Sequence, residues 1–218
     1  NKTLAPFNRS VDVFYASALT IFEYLSSNFN IQHIYSYRES GTKLTWDRDK
    51  KVASFTKKNK IYWKEFQRDG ILRGIKNRID WSKHWHVKMH TPVLQNNFSI
   101  TTQTPLTHPF SLPEKLELKL KEYSKHYQPA GEGNAWRYLK SFTQKRGFNY
   151  QKYISKPAQS RVSCSRLSPY LAWGNMSVKQ AFQYIGRHPS GSKNSKPFFA
   201  FLQSFNWHGI FLQKFKVD

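Results

Sequence analysis

The stretch SCSRLSPYLAWG, residues 163–174, contains more polar chemistry than a loop-to-helix junction needs. Ser168 followed by Pro169 is the pair expected at the N-cap and the first turn of a helix. An apolar turn follows, and Gly174 is the residue type that ends helices in a left-handed conformation. The stretch therefore predicts a short helix that begins at Ser168 and ends at Gly174.

The residues before this helix have the composition of an anion-binding loop. The free amides and the positive dipole end of a helix attract anions. Ser163 and Ser165 add hydroxyl donors, and Arg166 adds a guanidinium that can bind two phosphate oxygens. A diphosphate matches this number of donors. The alternative is an over-capped helix with Arg166 in a structural salt bridge, and residue types alone leave the two interpretations equal. A nucleophilic thiol at Cys164, with its pKa lowered by Arg166, is a weaker interpretation.

Charge is the most unusual global property of this 218-residue chain. It has 35 Lys and Arg against 13 Asp and Glu, which gives a formal net charge of +22. Such a charge favours a polyanionic partner, nucleic acid above all, and a merely soluble basic surface is the alternative. The single cysteine, Cys164, excludes an internal disulfide and fits an intracellular, reducing compartment. No apolar run approaches the roughly 20 residues of a spanning helix, so no membrane partner is expected.

The first 82 residues alternate between helical and strand patterns. Residues 17–29 and 45–59 have apolar side chains at helical spacing, whereas residues 31–37 and 61–67 have the composition of short strands. This α–β–α–β order predicts an α/β fold with a parallel sheet. Two strands are too few for a complete sheet.

Residues 83–110 lack periodicity and contain several prolines, which predicts a long interdomain linker. Three histidines occur at its start, His84, His86 and His90. Without cysteines or carboxylates to complete a ligand set, they are not expected to form a metal site.

Residues 111–218 have a helical pattern throughout. Ser111 with Glu114, and Ser177 with Gln180, have the spacing of capping boxes. Two glycines are predicted to end helices, and they are Gly147 and Gly186. A final helix is predicted over 197–215.

Four segments, in this order along the chain, resemble the photolyase and cryptochrome family of flavoproteins. The first, YSYRESGTKLTWDRDKKV (35–52), resembles the late strand and following helix of its N-terminal α/β domain. The second, QPAGEGNAWRYLKSF (128–142), resembles the Gly-Glu-x-x-Ala segment that opens its helical domain. The third, SCSRLSPYLAWGNMS (163–177), is similar to its flavin-diphosphate motif, and the fourth, FLQSFNWHGIFLQKF (201–215), to its lesion-facing helix.

The resemblance implies an α/β plus all-α fold. Residues 1–82 would be the C-terminal part of a doubly wound parallel α/β domain, 83–110 the linker, and 111–218 the first helices of a helical FAD-binding domain. It implies light-driven repair of pyrimidine-dimer lesions by electron transfer from reduced FAD, with the lesion flipped out of duplex DNA. A folate or deazaflavin antenna chromophore, a monomeric state, and a cytoplasmic location in bacteria or a nuclear one in eukaryotes are implied as well.

Matching positions imply roles for individual residues. The diphosphate loop is expected to bind the cofactor through Cys164, Ser165, Arg166, Leu167 and Ser168. An upstream tyrosine, Tyr153 with Tyr150 as its alternative, is expected to contact the cofactor as well. Two further residues, Phe201 and His208, are expected to lie near the flavin. Those expected to bind DNA or the lesion are Lys156, Ser204, Trp207, His208 and Phe211. Trp207 stands at the position of the tryptophan that stacks on the flipped lesion, a role that its broad ring suits.

Two positions depart from the family pattern. Ser204 stands where dimer photolyases have a glutamate that binds the lesion, and a serine cannot supply a carboxylate. His208 replaces an arginine. The chain is also expected to be a fragment that lacks the family's residues around the flavin ring, so no catalytic residue is expected within it and the fragment alone is expected to be inactive. A cryptochrome-type photoreceptor without repair activity, and a basic nucleic-acid-binding module without flavin, are the alternatives.

Overall fold

The computed structural model of the chain describes residues 4–99, 103–104, 106–122, 124, 126–189 and 195–217. The chain divides into two compact units, each built from two separate stretches. Unit 1 comprises Asn1–Phe66 and Leu94–Tyr127, and unit 2 comprises Gln67–Val93 and Gln128–Asp218. Part of the predicted linker, residues 100–102 and 105, lies outside the described residues.

Unit 1 begins with the predicted α–β–α–β order. Its elements are α1 (Ala18–Asn28), β1 (His33–Tyr37), α2 (Lys43–Lys58) and β2 (Tyr62–Phe66). The two strands pair in parallel, with His33 opposite Tyr62, and a parallel pair requires a crossover such as α2. The prediction of a mixed class, α/β followed by helices, is confirmed at this level. Among the described residues the sheet contains two strands.

The second stretch of unit 1 packs against the first. The amide of Tyr15 donates to the carbonyl of Phe110 at 2.9 Å, and the Tyr24 hydroxyl donates to the carbonyl of Thr107 at 3.1 Å. The ring of Phe14 stacks on His108 with centroids 4.2 Å apart. Later residues form α4 (Glu114–Lys121). The described part of 94–110 therefore belongs to unit 1, although it has no regular secondary structure.

Unit 2 is helical. Its elements are α3 (Trp81–His90), α5 (Glu132–Gln144), a 3₁₀ turn (Arg146–Asn149), α6 (Tyr150–Tyr153), α7 (Pro157–Ser163), α8 (Ser168–Ala172), α9 (Val178–Arg187) and α10 (Lys196–Val217). Large apolar side chains from most of these elements form one core, which includes Trp85, Met89, Leu139, Phe142, Leu167, Tyr170, Ile185 and Phe198. Burial of this apolar area is the main source of stability for the unit.

The linker prediction is wrong for residues 83–90, which belong to α3. Trp81, Trp85 and Met89 are spaced four apart on one face of this helix, and all three are buried. The ring of Trp85 meets that of Phe182 at 5.5 Å. Polar residues between the tryptophans make the apolar stripe hard to recognise in the sequence. The predicted domain borders, at residues 82/83 and 110/111, differ from the borders of the two units.

Several predicted helix ends differ from those of the structure. The capping box at Ser177 and Gln180 is confirmed, but α4 begins after Pro113 with no side-chain cap, so the box at Ser111 is wrong. Gly186 lies inside α9. Gly147 is a close-packing position, because an added Cβ would lie 2.7 Å from the Phe198 ring.

Candidate functional site

The predicted diphosphate loop connects α7 to α8 and is anchored by one apolar side chain. Leu167 is only 1% exposed and belongs to the core of unit 2. The preceding residue, Arg166, has a left-handed backbone with φ of 64°, which is uncommon outside glycine and marks a sharp local turn. Gln128 fixes this turn by donating from Nε2 to the Arg166 carbonyl at 2.8 Å and accepting from Arg166 Nε at 3.1 Å. The salt-bridge interpretation of Arg166 is therefore replaced by a pairing with Gln128: no described carboxylate pairs with Arg166.

A second arginine, Arg146, holds the same loop from inside. Its guanidinium donates to the carbonyls of Cys164, Val162 at 3.3 Å and Ser165 at 3.3 Å. It also bonds the Tyr138 carbonyl at 2.8 Å, on α5. Burial lowers the pKa of Arg146, with the nearby Arg166 adding to that effect. Arg146 thus connects two carbonyls of the loop, and one at the end of α7, to α5 through fixed donor geometry.

The loop serines differ in how far they are already engaged. Ser163 donates to the Gln159 carbonyl at 3.0 Å, one turn back on α7. Ser165 is 7% exposed, and its Oγ accepts from the amide of Leu167 at 3.4 Å. Ser168 is exposed. Ser163 and Ser165 therefore shape the loop from within, and Ser168 and the outer part of Arg166 are the groups that face a solvent-borne anion.

The helix that follows the loop is shorter than its pattern indicates. α8 spans five residues and its N-cap is Leu167, with no side-chain cap, so the prediction that Ser168 caps it is wrong. A helix of little more than one turn has a small macrodipole. An anion at this loop would consequently depend on hydroxyls and Arg166 more than on the helix dipole. The predicted left-handed end at Gly174 is confirmed by its φ of 71°.

The Cys164 thiol is not activated for nucleophilic attack. Burial raises its pKa, and this effect outweighs the opposing influence of Arg146 and Arg166. Because the thiolate is the nucleophile, a raised pKa makes the thiol less reactive. The interpretation of Cys164 as a thiol with a lowered pKa is wrong.

The two candidate tyrosines lie in different surroundings on α6. Tyr150 is buried against Phe142 and Phe201, with ring centroids 5.8 and 5.2 Å away. Burial raises its pKa, a hydrogen bond with Ser204 opposes that shift, and Cys164 adds to it. Tyr153 is half-buried with Lys156 5.6 Å from its ring centroid. Tyr150 is therefore the tyrosine that packs against α10.

The inner face of α10 places two predicted residues in the core. Phe201 is 5% exposed, and its ring is surrounded by those of Phe142 at 4.6 Å and Phe205 at 4.8 Å, besides Tyr150. Ser204, half-buried, donates to the Phe201 carbonyl at 2.6 Å. Both side chains support the packing of α10 on α5 and α6, and their predicted contacts with flavin and lesion stay predictions.

The outer face of α10 carries the other predicted residues. Trp207 is 58% exposed and Phe211 is 66% exposed, with their ring centroids 6.4 Å apart. His208 is exposed as well, and it lies close enough to Asp69 to lower that carboxyl's pKa, although burial dominates and raises it. Two neighbouring aromatic rings open to solvent form a surface on which a planar group could stack.

Sequence reasoning missed Arg146 and Gln128, because nothing in the order of residues distinguishes one arginine among 35 cations. No protein-family model matches this chain, and a search of curated proteins finds no significant match. Across the described residues, no helix is both long and apolar enough to cross a bilayer. The same part of the chain contains no group of three metal-ligating side chains.

Proposed function

We propose that this chain is part of a photolyase-type flavoprotein, which binds FAD through the Cys164–Ser168 loop and DNA through the outer face of α10. In this proposal unit 1 belongs to a doubly wound α/β domain, and unit 2 belongs to the FAD-binding domain. Photoexcited reduced flavin would donate an electron to a pyrimidine dimer. The observation that carries the proposal is that the loop and α10, which are distant in sequence, pack into the same core of unit 2 through Leu167 and Phe201.

The rigidity of the loop supports the binding of a diphosphate. Arg146 and Gln128 hold its carbonyls from the inside, so the loop does not have to be ordered when a ligand arrives. Preorganisation of this kind lowers the entropic cost of binding. The terminal nitrogens of Arg166 make no hydrogen bond to any described residue, which leaves them for phosphate oxygens.

The charge and the exposed rings support a DNA partner. A formal net charge of +22 favours phosphate contacts, which supply most sequence-independent affinity for DNA. Trp207 and Phe211 offer π faces to solvent, and stacking of a base on such a face contributes about 1–3 kcal/mol.

A second candidate, a cryptochrome-type photoreceptor that binds flavin but repairs nothing, is favoured by Ser204. This serine stands at the position of a lesion-binding glutamate and donates to its own helix at 2.6 Å. It therefore offers a lesion base neither a carboxylate nor a free hydroxyl proton. Light-dependent disappearance of a defined pyrimidine dimer distinguishes the two candidates.

The flavin proposal is tested by absorbance. The protein is incubated with FAD, desalted, and its flavin band in the blue is recorded. The Arg166→Gln/Ser168→Ala variant is expected to lose the band, because it removes the exposed Ser168 hydroxyl and the terminal guanidinium nitrogens of Arg166. It also removes the bond from Arg166 Nε to Gln128, so its thermal unfolding is compared with that of the wild type. Ser155→Ala serves as the control, because Ser155 is exposed and lies outside the Cys164–Ser168 loop. This variant is expected to retain the flavin band. Equal flavin content in all three proteins would exclude the loop as the diphosphate site.

Repair is tested separately, with the whole flavoprotein to which this chain is proposed to belong, on an oligonucleotide with one cyclobutane dimer. The reduced, FAD-loaded protein is illuminated, and restored pyrimidines are quantified against a dark sample. Light-dependent restoration supports the photolyase candidate, and flavin retention without restoration supports the photoreceptor candidate.

A further inference from the structure

The contact between α3 and α9 brings together cations from two helices that contain no Asp or Glu. The two helices pack through Trp85, Met89 and Phe182. Along the rim of this contact lie Lys88, Thr91, Lys179, Gln183 and Arg187, which we call the α3–α9 seam. The nearest acid in sequence is Asp80, eight residues before Lys88, or about 12 Å along the helix axis.

Hydrogen bonds hold the polar groups of the seam in place. The Lys179 ammonium donates to Thr91 Oγ1 at 2.6 Å. Gln183 Nε2 donates to the carbonyls of Met89 at 2.8 Å and Thr91 at 2.6 Å, and its Oε1 accepts from Arg187 Nη2 at 3.3 Å. The buried amide of Gln183 thus connects the end of α3 to Arg187 on α9, and hydrogen bonds hold the Lys179 and Arg187 side chains in place.

Lys179 lies beside the turn that carries Lys88, because the Thr91 hydroxyl that accepts from the Lys179 ammonium at 2.6 Å donates to the Lys88 carbonyl at 2.8 Å. Burial lowers the pKa of Lys179 and the charge of Lys88 lowers it further. Within the described part of the chain, no carboxylate forms an ion pair with Lys88, Lys179 or Arg187. Two ammonium groups without a counterion raise the energy of the free protein, and a bound anion would relieve that repulsion.

The spacing of the cations fits a linear polyanion. Lys179 and Arg187 are eight residues apart on α9, so they are separated by about 12 Å along its axis. One DNA strand advances roughly 3.4 Å along the duplex axis per phosphate, so about 12 Å parallel to that axis corresponds to three to four phosphate steps. A single small phosphate would not span both ends of the seam.

We propose that the α3–α9 seam binds the phosphodiester backbone of duplex DNA through Lys88, Lys179 and Arg187. The seam is distinct from the Cys164–Ser168 loop and from the outer face of α10. The inference rests on the proposed DNA partner and not on flavin binding. The seam contributes sequence-independent affinity, and the number of ions released on binding falls when its charges are removed.

The test is fluorescence anisotropy with a labelled, undamaged DNA duplex over a series of salt concentrations. Lys88→Gln/Lys179→Gln/Arg187→Gln is compared with Lys51→Gln/Lys57→Gln/Lys58→Gln on α2, whose lysines are exposed. Each triple variant lowers the formal net charge from +22 to +19. The seam variant is expected to bind roughly tenfold to a hundredfold more weakly at 0.1 M salt, with a log–log salt slope shallower by about 2–3. The control is expected to change the slope by less than about 1.

The single variant Arg187→Gln guards against loss of folding, because this exposed side chain bonds only Gln183 among the described residues. It is expected to lower the salt slope by about 1. If the wild type binds DNA and the seam and control variants have equal salt slopes, the seam proposal is wrong but the DNA partner stands. If the wild type does not bind DNA, the DNA partner is wrong as well. If the seam variant loses binding to vesicles of anionic phospholipid but keeps its DNA affinity, the seam is a membrane contact and the proposal is wrong.

Discussion

The Cys164–Ser168 loop and the outer face of α10 were both expected to meet a ligand, yet they are built in opposite ways. In the loop, polar groups turn inward: Ser165 Oγ accepts from the amide of Leu167, and Arg146 donates to the Cys164 and Ser165 carbonyls. On α10, apolar rings turn outward, with Trp207 and Phe211 more than half exposed. The polar groups of the loop thus hold its shape, whereas the two exposed rings of α10 lie outside the core.

Residue type is therefore a poor guide to which side chains a ligand can reach. Serines that look like ligand donors shape the loop, and a phenylalanine that looks like a stacking platform, Phe201, lies in the core. Substitutions of inward-facing side chains, compared with those of outward-facing ones, therefore test these assignments.

The largest contrast is expected between the two faces of α10. Phe201→Ala removes a ring that is 5% exposed and should lower the free energy of unfolding by about 3–5 kcal/mol, because a cavity remains. Trp207→Ala removes a ring that is 58% exposed and should change it by less than about 0.5 kcal/mol. Urea denaturation followed by circular dichroism measures both. Similar losses for the two variants would mean that Trp207 is a packing residue.

Arg146 should have the next largest effect. Arg146→Ala leaves several carbonyls of the loop without donors, which we expect to cost about 3 kcal/mol. Arg146→Lys keeps the charge but lacks the planar fork, so it should recover less than half of that loss. Thermal unfolding gives the stability, and proteolysis between residues 162 and 168 reports on the loop itself. Full rescue by lysine would show that charge, not donor geometry, holds the loop.

A smaller effect is expected from Asp69, beside the outer face of α10. Burial raises its pKa in the folded state, although Arg68 and His208 oppose the shift. The folded protein therefore holds this proton more tightly than the unfolded chain does. Its contribution is fully present below the ordinary pKa of 3.8 and is lost as the pH rises through the folded-state value.

Asp69→Asn cannot ionise, and asparagine tolerates the positive φ of 57° at this position. The stability of the variant relative to wild type should increase from about pH 4 towards neutrality. Melting temperatures across this range measure the difference. Parallel curves for the two proteins would show that Asp69 has an ordinary pKa.

The sequence is informative where local patterns determine structure. The α–β–α–β order, the parallel pairing and the capping box at Ser177 are confirmed, because spacing and short-range hydrogen bonds control them. It is less informative where tertiary contacts decide. The burial of Trp81 and Trp85 depends on a helix a hundred residues away, and the roles of Arg146 and Gln128 depend on a fold that brings them to the loop.

The candidate site was foreseeable in position but not in geometry. The motif at 163–174 marks a structured turn, and the left-handed Gly174 follows from residue type alone. That Ser165 and Ser163 would be engaged by backbone groups could not be inferred, since hydroxyls bond equally well to a ligand. The same ambiguity applies to every short polar side chain near a helix start.

The most direct test of the account is an equilibrium titration of the protein with FAD and with riboflavin, followed by flavin fluorescence. If the Cys164–Ser168 loop holds the diphosphate, FAD binds and riboflavin, which has no phosphate, binds at least tenfold more weakly. Arg166→Gln/Ser168→Ala should then reduce the affinity for FAD to that for riboflavin, while Ser155→Ala leaves it unchanged. Equal affinity for the two flavins, or no binding of either, would contradict a diphosphate site in this loop.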